Sequence, residues 1–402
     1  MRRRLLGHGL DPRMMSMILA LIVIWVGLQI ATDGIFLTPR NLYNLSLQTS
    51  AIAVIACGMV FVIVARQIDL SVGSLLAFTG VFTAFTQVSW FDGYPGVGWI
   101  LSIIVGCAAG VAVGLFQGWW VAYRRLPALI VTLAGYLMYR NAAFLLVQGQ
   151  TIAPLDTTYQ RLGGGAAGSI GPTASWLVAA IGCAWLVWQV WHTRSERTKY
   201  GADQAPIWLD AAKVAVGTVA IIGFAAVMVS YPDRTRTDAE GNPLGMGIGI
   251  PVLILIVVVA VLSFIANRTR FGRYVFAYGG NPESAVLAGI NTRWLLVKIF
   301  IMMGILSTIA AVIVTARLNA GANSIGQNAE LYAISASVIG GTSLAGGLGS
   351  VPGAVLGALF IQSLDSGMVL LDVPTAQRGV IIGLVLIAAS WFDAEFTKRQ
   401  AK

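Results

Sequence analysis

A glycine-rich stretch, IGGTSLAGGLGSVPGAVLGALF at residues 339–360, has the residue spacing that first suggests phosphate chemistry. Gly341 and Gly346 are separated as in a phosphate-binding loop, but that loop needs a lysine after its second glycine, where Gly347 stands. No Gly-Lys dipeptide occurs in the chain. The dinucleotide-binding pattern also fails, because Pro352 occupies the place of its third glycine. This stretch therefore predicts no nucleotide site.

The same glycines are spaced for close helix packing. Gly349, Gly353 and Gly357 are four residues apart, which predicts a small-residue face on one helix. Such faces let helices approach closely in lipid. Gly346 and Gly347 precede them and favour a bent or re-entrant segment. We expect all five glycines to serve packing.

The composition indicates that lipid is the setting of these residues. Of the 402 residues, 57% are hydrophobic and 11% are charged, against roughly 25% charged in soluble domains. The net charge of +9 does not indicate nucleic-acid binding, because membrane proteins concentrate lysine and arginine on the cytoplasmic side. Cys57, Cys107 and Cys183 lie inside apolar runs and predict neither a disulfide framework nor a metal site.

The apolar segments predict an all-α polytopic membrane protein with one transmembrane domain over residues 1–402. About twelve segments approach the roughly 20 residues that cross a bilayer. They lie at about 14–31, 45–65, 69–88, 98–122, 127–147, 174–191, 207–230, 248–266, 294–316, 331–346, 352–371 and 377–392. The first resembles an uncleaved anchor. The segments at 45–65, 69–88 and 331–346 are short or contain glycine, so we expect one or more to be broken or re-entrant.

The basic residues predict that both termini are cytoplasmic. If every segment crosses, 19 of the 26 lysines and arginines fall on or near the cytoplasmic side, among them Arg2, Arg3, Arg4 and Lys402. Six fall outside and one lies within a segment. The six are Arg40, Arg161, Arg234, Arg236, Arg317 and Arg378, and the one within a segment is Arg140.

Polar residues in or beside the segments are candidates for a translocation pathway, because a charge at the bilayer centre costs at least about 2.5 kcal/mol. Asp69 either caps the segment that follows it or serves the pathway, and Arg66 is either an interfacial anchor or the partner of Asp69. Arg140 either extends to the interface or faces the pathway. Asn319, Asn323, Gln327 and Asn328 form a polar outer loop. The pathway candidates are Asp69, Ser71, Arg140, Asn319, Gln327 and Asp365.

A short helix is predicted inside the long cytoplasmic connection at residues 267–293. Asn281 is a favourable N-cap, Pro282 suits the first helical position, and Glu283 places negative charge at the helix N-terminus. Gly289 then favours the end of the helix. A helix of about seven residues is marginal by itself.

This short helix carries Val286 and Leu287 in a connection that lies between basic clusters. It either packs on the membrane surface or seats in a groove of a soluble partner, as amphipathic helices do. The two interpretations differ in whether the apolar side chains face the lipid or another protein.

Three motifs resemble bacterial ABC importer permeases of the sugar class. FGRYVFAYGGNPESAVLAGIN resembles the coupling-helix loop of the ribose and xylose type, and GMVFVIVARQIDLSVGSLLAFTG resembles the IDLSVGS signature. ARLNAGANSIGQNAELYAISASVIGGTSLAGGLGSVPGAVLGALF resembles the C-terminal half. The tail LDSGMVLLDVPTAQRGVIIGLVLIAASWFD is most similar to the xylose type, whose extra apolar pair matches about 174–230. The resemblance covers about residues 41–393.

This resemblance implies a type II-like permease fold and a homodimer with the pathway at the subunit interface. It also implies a bacterial inner-membrane location, a periplasmic sugar-binding protein that delivers D-xylose, and a separate cytoplasmic ATPase that binds ATP and Mg. The chain would then be no enzyme and would bind no cofactor. The residues implied in coupling to the ATPase are Gly272, Gly279, Gly280, Asn281, Pro282, Glu283, Leu287 and Gly289.

Two other classes of function compete with the importer subunit. An ion-coupled secondary transporter of a small polar solute needs embedded carboxylates or histidines and inverted repeats, for which Asp69 is the main support. An intramembrane enzyme needs a nucleophile with a base, or metal ligands, at helical spacing. No H-x-x-x-H, paired aspartates or G-x-S-x-G occurs within a segment, so the sequence does not favour an enzyme.

Overall fold

The computed structural model describes residues 12–200, 206–237, 241 and 243–400. Arg2, Arg3, Arg4 and Lys402, which contribute to the predicted orientation, lie outside the described residues. Within them, ten helices are long and apolar enough to cross a membrane. These are α1 (Pro12–Ala31), α2 (Pro39–Val64), α3 (Val72–Ser89), α4 (Gly98–Ala122), α5 (Ala128–Val147), α7 (Gly171–Lys199), α8 (Ile207–Ser230), α9 (Ile250–Arg268), α12 (Thr292–Leu318) and α14 (Val351–Leu370).

Five further helices complete the described fold. They are α6 (Thr157–Gln160), followed by a 3₁₀ turn at Arg161–Gly163, α10 (Arg270–Gly280), α11 (Pro282–Leu287), α13 (Ala329–Ile339) and α15 (Thr375–Gln400). Each of the twelve predicted segments corresponds to a helix, with α13 and the apolar part of α15 supplying the two shorter ones. The predicted polytopic helical architecture is confirmed.

A small β-hairpin follows α8 and was not predicted from the sequence. Strands β1 (Pro232–Thr237) and β2 (Pro243–Gly245) pair antiparallel, with Asp233 opposite Leu244. The sequence PDRTRT lacks the apolar alternation that signals a strand. The hairpin therefore depends on its position between α8 and α9 more than on local propensity.

Helix α2 forms the centre of the molecule. Its residues from Ala53 to Val64 are buried on every side, as expected for a helix that is apolar all round. It packs against α9, α12, α13 and α14. In contrast, α1, α7 and α8 expose most of their apolar side chains, which is the pattern of helices that face lipid.

Four glycines on α4 bring that helix against α12. Gly106, Gly110, Gly114 and Gly118 are four residues apart, and a Cβ on Gly114 would lie 2.4 Å from the carbonyl oxygen of Phe300. The two backbones are therefore in direct contact, as in other small-residue helix interfaces. The spacing is visible in the sequence but was not singled out there.

Two of the predicted packing glycines, Gly353 and Gly357, lie on one face of α14. A Cβ on Gly353 would stand 2.1 Å from the carbonyl oxygen of Gly340, and one on Gly357 would stand 2.0 Å from that of Ala336. Both glycines therefore allow α14 to touch the backbone at the C-terminal end of α13. The close packing is within one chain.

Gly349 does not belong to this helical face, so the predicted row of three glycines is wrong at this position. Helix α14 begins at Val351, and Ser350 caps it by accepting a hydrogen bond from the backbone N–H of Gly353 at 3.2 Å. Gly349 precedes the cap and packs instead against Val60 and Val64 of α2.

Candidate functional site

The predicted short helix is present as α11 and has the predicted local signals. The Asn281 side chain accepts a hydrogen bond from the backbone N–H of Ser284 at 3.0 Å. Pro282 occupies the first turn, and Gly289 adopts a φ of +78° after the helix. These local contacts define where the helix begins and ends.

Helix α11 presents apolar side chains to the outside. Ala285 is buried against the rest of the protein, whereas Val286 is 56% exposed and Leu287 is 89% exposed. An apolar pair at the end of a capped helix, directed away from its own protein, is available to a membrane surface or to another protein.

Helix α10 precedes α11 directly and was not predicted. Thr269 caps it by accepting a hydrogen bond from the N–H of Gly272 at 3.2 Å, and this threonine before RFGRYVF is a signal that could have revealed the helix. A Cβ on Gly272 would meet the carbonyl oxygen of Ile265 at 2.2 Å, so this glycine permits the corner between α9 and α10.

Arg66 lies beside this connection and does not pair with Asp69. Its side chain donates to the backbone carbonyls of Gly279 and Gly280 at the end of α10. The end of α2 therefore lies on the face of the molecule that carries α11, which we call the α11 face.

Asp69 is completely buried in the connection between α2 and α3. Its Oδ1 accepts hydrogen bonds from the backbone N–H of Ser71 at 2.9 Å and from the Ser71 hydroxyl at 2.6 Å. Burial raises the pKa of Asp69 to about 6, although the hydrogen bonds from Ser71 oppose the rise. Ser71, not Asp69, is the N-cap residue of α3. Oδ2 has no hydrogen-bond partner among the described residues.

Gln117 of α4 extends this polar group into the helices. Its Nε2 donates to the Ser71 hydroxyl at 2.8 Å, and both side chains are buried. Gly135 of α5 makes room for them, since a Cβ there would lie 2.6 Å from Gln117 Nε2. The sequence prediction missed Gln117, although a lone glutamine in an apolar glycine-rich run is a visible signal.

Arg140 of α5 holds the connection between α12 and α13. Its Nη1 donates to the backbone carbonyl of Asn323, and also to that of Ile325 at 2.8 Å. The guanidinium group therefore bonds to the backbone of its own chain. It supplies hydrogen bonds to a backbone that is not helical.

This connection does not form the predicted outer loop over its whole length, because it runs along α3. Contacts join Gly321 to Ala84, then Ile325 to Gly80, and finally Gly326 to the backbone of Gly73. The direction is antiparallel to α3 over about 16 Å. We call residues 319–328 the inserted segment.

The family model described as branched-chain amino acid transport system / permease component matches residues 41–390. The chain belongs to this permease family. It is 42% identical to the xylose transport system permease protein XylH of Haemophilus influenzae, over 95% of this chain and 96% of the relative. The XylH protein of Escherichia coli K12 is 38% identical, over 98% and 94% of the two chains.

A more distant relative extends the similarity to other sugars. The L-arabinose ABC transporter permease protein AraH of Azospirillum brasilense is 30% identical, over 89% of this chain and 81% of the relative. No solved structure matches the chain significantly. The relatives named here are permease proteins of transport systems, and none is named as an enzyme.

The permease buries a carboxylate next to the inserted segment. Glu330, in the first turn of α13, is buried, and its Oε2 faces Gly73 of α3 and has no hydrogen-bond partner among the described residues. Sequence reasoning missed this residue because it follows a polar run that favoured a solvated loop.

The remaining pathway candidates are Asn319 and Gln327 of the inserted segment and Asp365 of α14. Asn319 accepts a hydrogen bond from the backbone N–H of Leu155 at 2.8 Å, and Gln327 is exposed. Asp365 forms an ion pair with Arg378 at 3.1 Å, which joins α14 to α15. The permease therefore places Asp69, Ser71 and Arg140 near the inserted segment and gives Asp365 a separate partner.

The side chains around the inserted segment can donate and accept hydrogen bonds, which suits a solute rich in hydroxyl groups. Among the described residues, no group of three or more histidine, cysteine or acidic side chains could hold a metal ion.

Proposed function

We propose that this chain is the membrane-spanning subunit of an ATP-driven importer of D-xylose. The similarity to XylH and AraH supports a sugar as the substrate. Xylose is supported because the chain is more identical to the XylH proteins than to AraH. A periplasmic sugar-binding protein would deliver the sugar. ATP and Mg would bind to a separate ATPase subunit, because the sequence contains no phosphate-binding lysine loop.

The exposed apolar end of α11 is the observation that carries this proposal. Leu287 projects from the α11 face, and the described residues leave it 89% exposed. A soluble ATPase with a groove for this helix would remove Leu287 from water, which favours association by the hydrophobic effect. The residues proposed to couple to it are Gly272, Gly279, Gly280, Asn281, Pro282, Glu283, Leu287 and Gly289.

A homodimer with the pathway at its interface is supported by the inserted segment. Ser324, Gln327 and Asn328 are exposed, although neighbouring parts of the same segment run beside a membrane-spanning helix. Polar backbone at membrane depth needs protein or water against it, so we propose that a second copy encloses a watery pathway here. The residues proposed to line the pathway are Asp69, Ser71, Arg140, Asn319, Gln327 and Asp365.

The proposed location is the bacterial inner membrane, with both termini and the α11 face in the cytoplasm. The excess of lysine and arginine in the connections on that side supports this orientation. It places α11 within reach of an ATPase that works on cytoplasmic ATP.

The function is tested by replacing Glu283 and Leu287 together with lysine. The first change puts positive charge at the α11 N-terminus and costs a few tenths to about 1 kcal/mol. The second buries a charge in the proposed groove. We expect normal membrane insertion, loss of the co-purifying ATPase and a sharp fall in xylose uptake by membrane vesicles.

Leu126→Lys is the matched control, since Leu126 is 42% exposed in the connection between α4 and α5. Arg293 of α12 lies 5.9 Å from the ring of nearby Tyr123, which places this connection on the α11 face. The control should retain the ATPase. An inserted double variant that keeps the ATPase and transports at the parental rate would show that α11 is an ordinary surface helix. Uptake that needs an ion gradient and no ATPase would favour the secondary transporter.

A further inference from the structure

Arg66 ends helix α2 in a conformation that usually belongs to glycine. Its φ is +59°, and its backbone N–H bonds to the carbonyl of Ile63 at 2.8 Å, while that of Gln67 bonds to Val62 at 3.0 Å. Glycine is the common residue at such a left-handed helix end because it has no Cβ. Arg66 adopts this conformation although it carries a Cβ.

The side chain of Arg66 caps a second helix. Its Nε donates to the carbonyl of Gly279 at 2.7 Å, and its Nη2 donates to that of Gly280 at 2.9 Å. These are the last carbonyls of α10, which have no partner within the helix and form the negative end of its dipole. The next residue, Asn281, caps α11, so Arg66 holds the corner that sets the direction of α11.

The backbones of three chain segments meet at the same point. A Cβ on Gly279 would lie 1.8 Å from the carbonyl oxygen of Val64, and the N–H of Gly347 donates to that same oxygen at 3.0 Å. A Cβ on Gly347 would lie 2.9 Å from the Cα of Gly280. We call this meeting of α2, α10 and the connection before α14 the arginine junction.

Contacts on both sides of the arginine junction extend it into the membrane part. Phe61 of α2 stacks on Phe271 of α10, with ring centres 6.3 Å apart. Further along α2, the carbonyl of Ala56 accepts a hydrogen bond from the Ser337 hydroxyl of α13 at 3.0 Å. A displacement of α10 would therefore act directly on the central helix and on the segments packed against it.

We propose that Arg66 is a positioning residue that transmits movement of α11 to the central helix α2 and to the connection at Gly347. This proposal rests on the proposed function, since it needs an ATPase seated on α11. Arg66 touches neither sugar nor nucleotide in this role. Without its side chain, α11 could still bind the ATPase, but rotation of α10 would be less tightly coupled to α2.

Arg66→Gly is the informative variant. Glycine accepts the left-handed conformation, so α2 should end as before. The variant removes the two hydrogen bonds to α10 together with the aliphatic stem that lies beside Gly346. Arg125→Gly is the matched control. Arg125 is also a left-handed arginine (φ +56°) after a helix end, and its side chain is exposed.

The measurement uses the complex of permease, ATPase and sugar-loaded binding protein in liposomes and compares xylose imported with ATP hydrolysed. We expect Arg66→Gly to retain the ATPase and to hydrolyse ATP, but to import at least about tenfold less xylose per ATP, the scale of one or two lost charge-assisted hydrogen bonds. Arg66→Lys should recover part of the ratio because its ammonium group can reach one carbonyl. Arg125→Gly should match the parent.

Xylose import per ATP within twofold of the parent in Arg66→Gly would overturn the proposal. Loss of the ATPase from Arg66→Gly would also overturn it, since Arg66 would then belong to the docking surface. If Arg66→Gly fails to assemble, the lysine variant provides the test. An assembled Arg66→Lys complex that imports as much xylose per ATP as the parent would contradict transmission through both carbonyls. A lower amount of xylose per ATP would support it. Failure of the proposed function can be distinguished from failure of the Arg66 proposal, because in the first case the parental complex itself would show no ATP-driven xylose import.

Discussion

At the scale of single residues, buried polar side chains without a full set of partners distinguish this permease from an inert helical bundle. Asp69 has one satisfied oxygen and one that lacks a partner among the described residues. Arg140 uses its charge on backbone carbonyls instead of a carboxylate. Such groups are costly to bury and are therefore sensitive to substitution.

Asp69 should give the permease a measurable pH dependence of stability. Because burial raises its pKa to about 6, the folded protein binds a proton between about pH 4 and 6 that the unfolded chain does not. This contribution is complete below about pH 4 and is lost as the pH rises through about 6. Lowering the pH from 7 to 5 should stabilise the parent relative to Asp69→Asn by about 1 kcal/mol.

The measurement is the apparent unfolding midpoint of both proteins in detergent at the two pH values. The Asp69→Asn variant is the baseline for the parent, because the two proteins share every titrating group except the Asp69 carboxyl. If the midpoints of the parent and of Asp69→Asn differ by the same amount at pH 7 and at pH 5, Asp69 does not take up a proton over this range.

Arg140→Met should loosen the inserted segment. The variant keeps much of the aliphatic stem but loses both bonds to the carbonyls of Asn323 and Ile325, which costs about 1.5 to 3 kcal/mol. Hydrogen exchange followed by mass spectrometry should show faster exchange across the inserted segment. Arg40→Met, at an exposed position, should leave that exchange unchanged. Unaltered protection in Arg140→Met would mean that other contacts hold the segment.

At the scale of elements, backbone contacts made possible by glycine set how the helices pack. Helix α4 meets α12 and helix α14 meets α13 at distances that no larger residue would permit. In lipid, where the hydrophobic effect does not drive helices together, such contacts supply much of the packing attraction.

Gly353→Leu should therefore disrupt the fold of the single chain. The added side chain would collide with the carbonyl of Gly340 and force α14 away from α13, at a cost of about 1 to 3 kcal/mol or more. Leu356→Ile, on the same helix, conserves volume and should cost less than about 1.5 kcal/mol. Thermal unfolding in detergent compares the two. Equal midpoints would contradict the close contact between α13 and α14.

At the scale of the whole molecule, the permease has an α11 face and an opposite face that can be labelled separately. Gly280 lies on the α11 face, and Gly93 lies in the connection between α3 and α4 at the other ends of these helices. Both positions are exposed, and a Cβ at either meets no atom within 4 Å. Cysteine should be tolerated at both.

In a variant without the native cysteines, Gly280→Cys should react with a membrane-impermeant maleimide only after the cells are opened. Gly93→Cys should react in cells whose outer membrane alone is permeable. This outcome follows if the basic connections are cytoplasmic. The reverse pattern would invert the proposed orientation and remove α11 from the reach of a cytoplasmic ATPase.

The purified permease should hydrolyse no ATP by itself. Its sequence lacks the lysine that phosphate-binding loops place on the β- and γ-phosphates. A phosphate-release assay on the isolated chain checks this, with the ATPase complex as the positive control. Hydrolysis that persists after every co-purifying ATPase has been removed would exclude the role of a passive transport subunit.

The features that depend on local composition and capping were predictable from the amino-acid sequence. Apolar length predicted twelve segments, because a helix must bury its backbone polar groups and cover a bilayer of known thickness. Asn281, Pro282 and Gly289 predicted α11, because their effects act within one turn of helix.

The partners of the buried polar groups were not predictable, because they come from distant parts of the chain. Arg66 bonds to carbonyls 213 and 214 residues away, and Arg140 bonds to carbonyls 183 and 185 residues away. Nothing local distinguishes these arginines from interfacial anchors, since any unbonded backbone carbonyl can accept from a guanidinium group. Which carbonyls remain unbonded depends on where α10 ends and on the inserted segment lying beside α3, and packing between distant helices decides both.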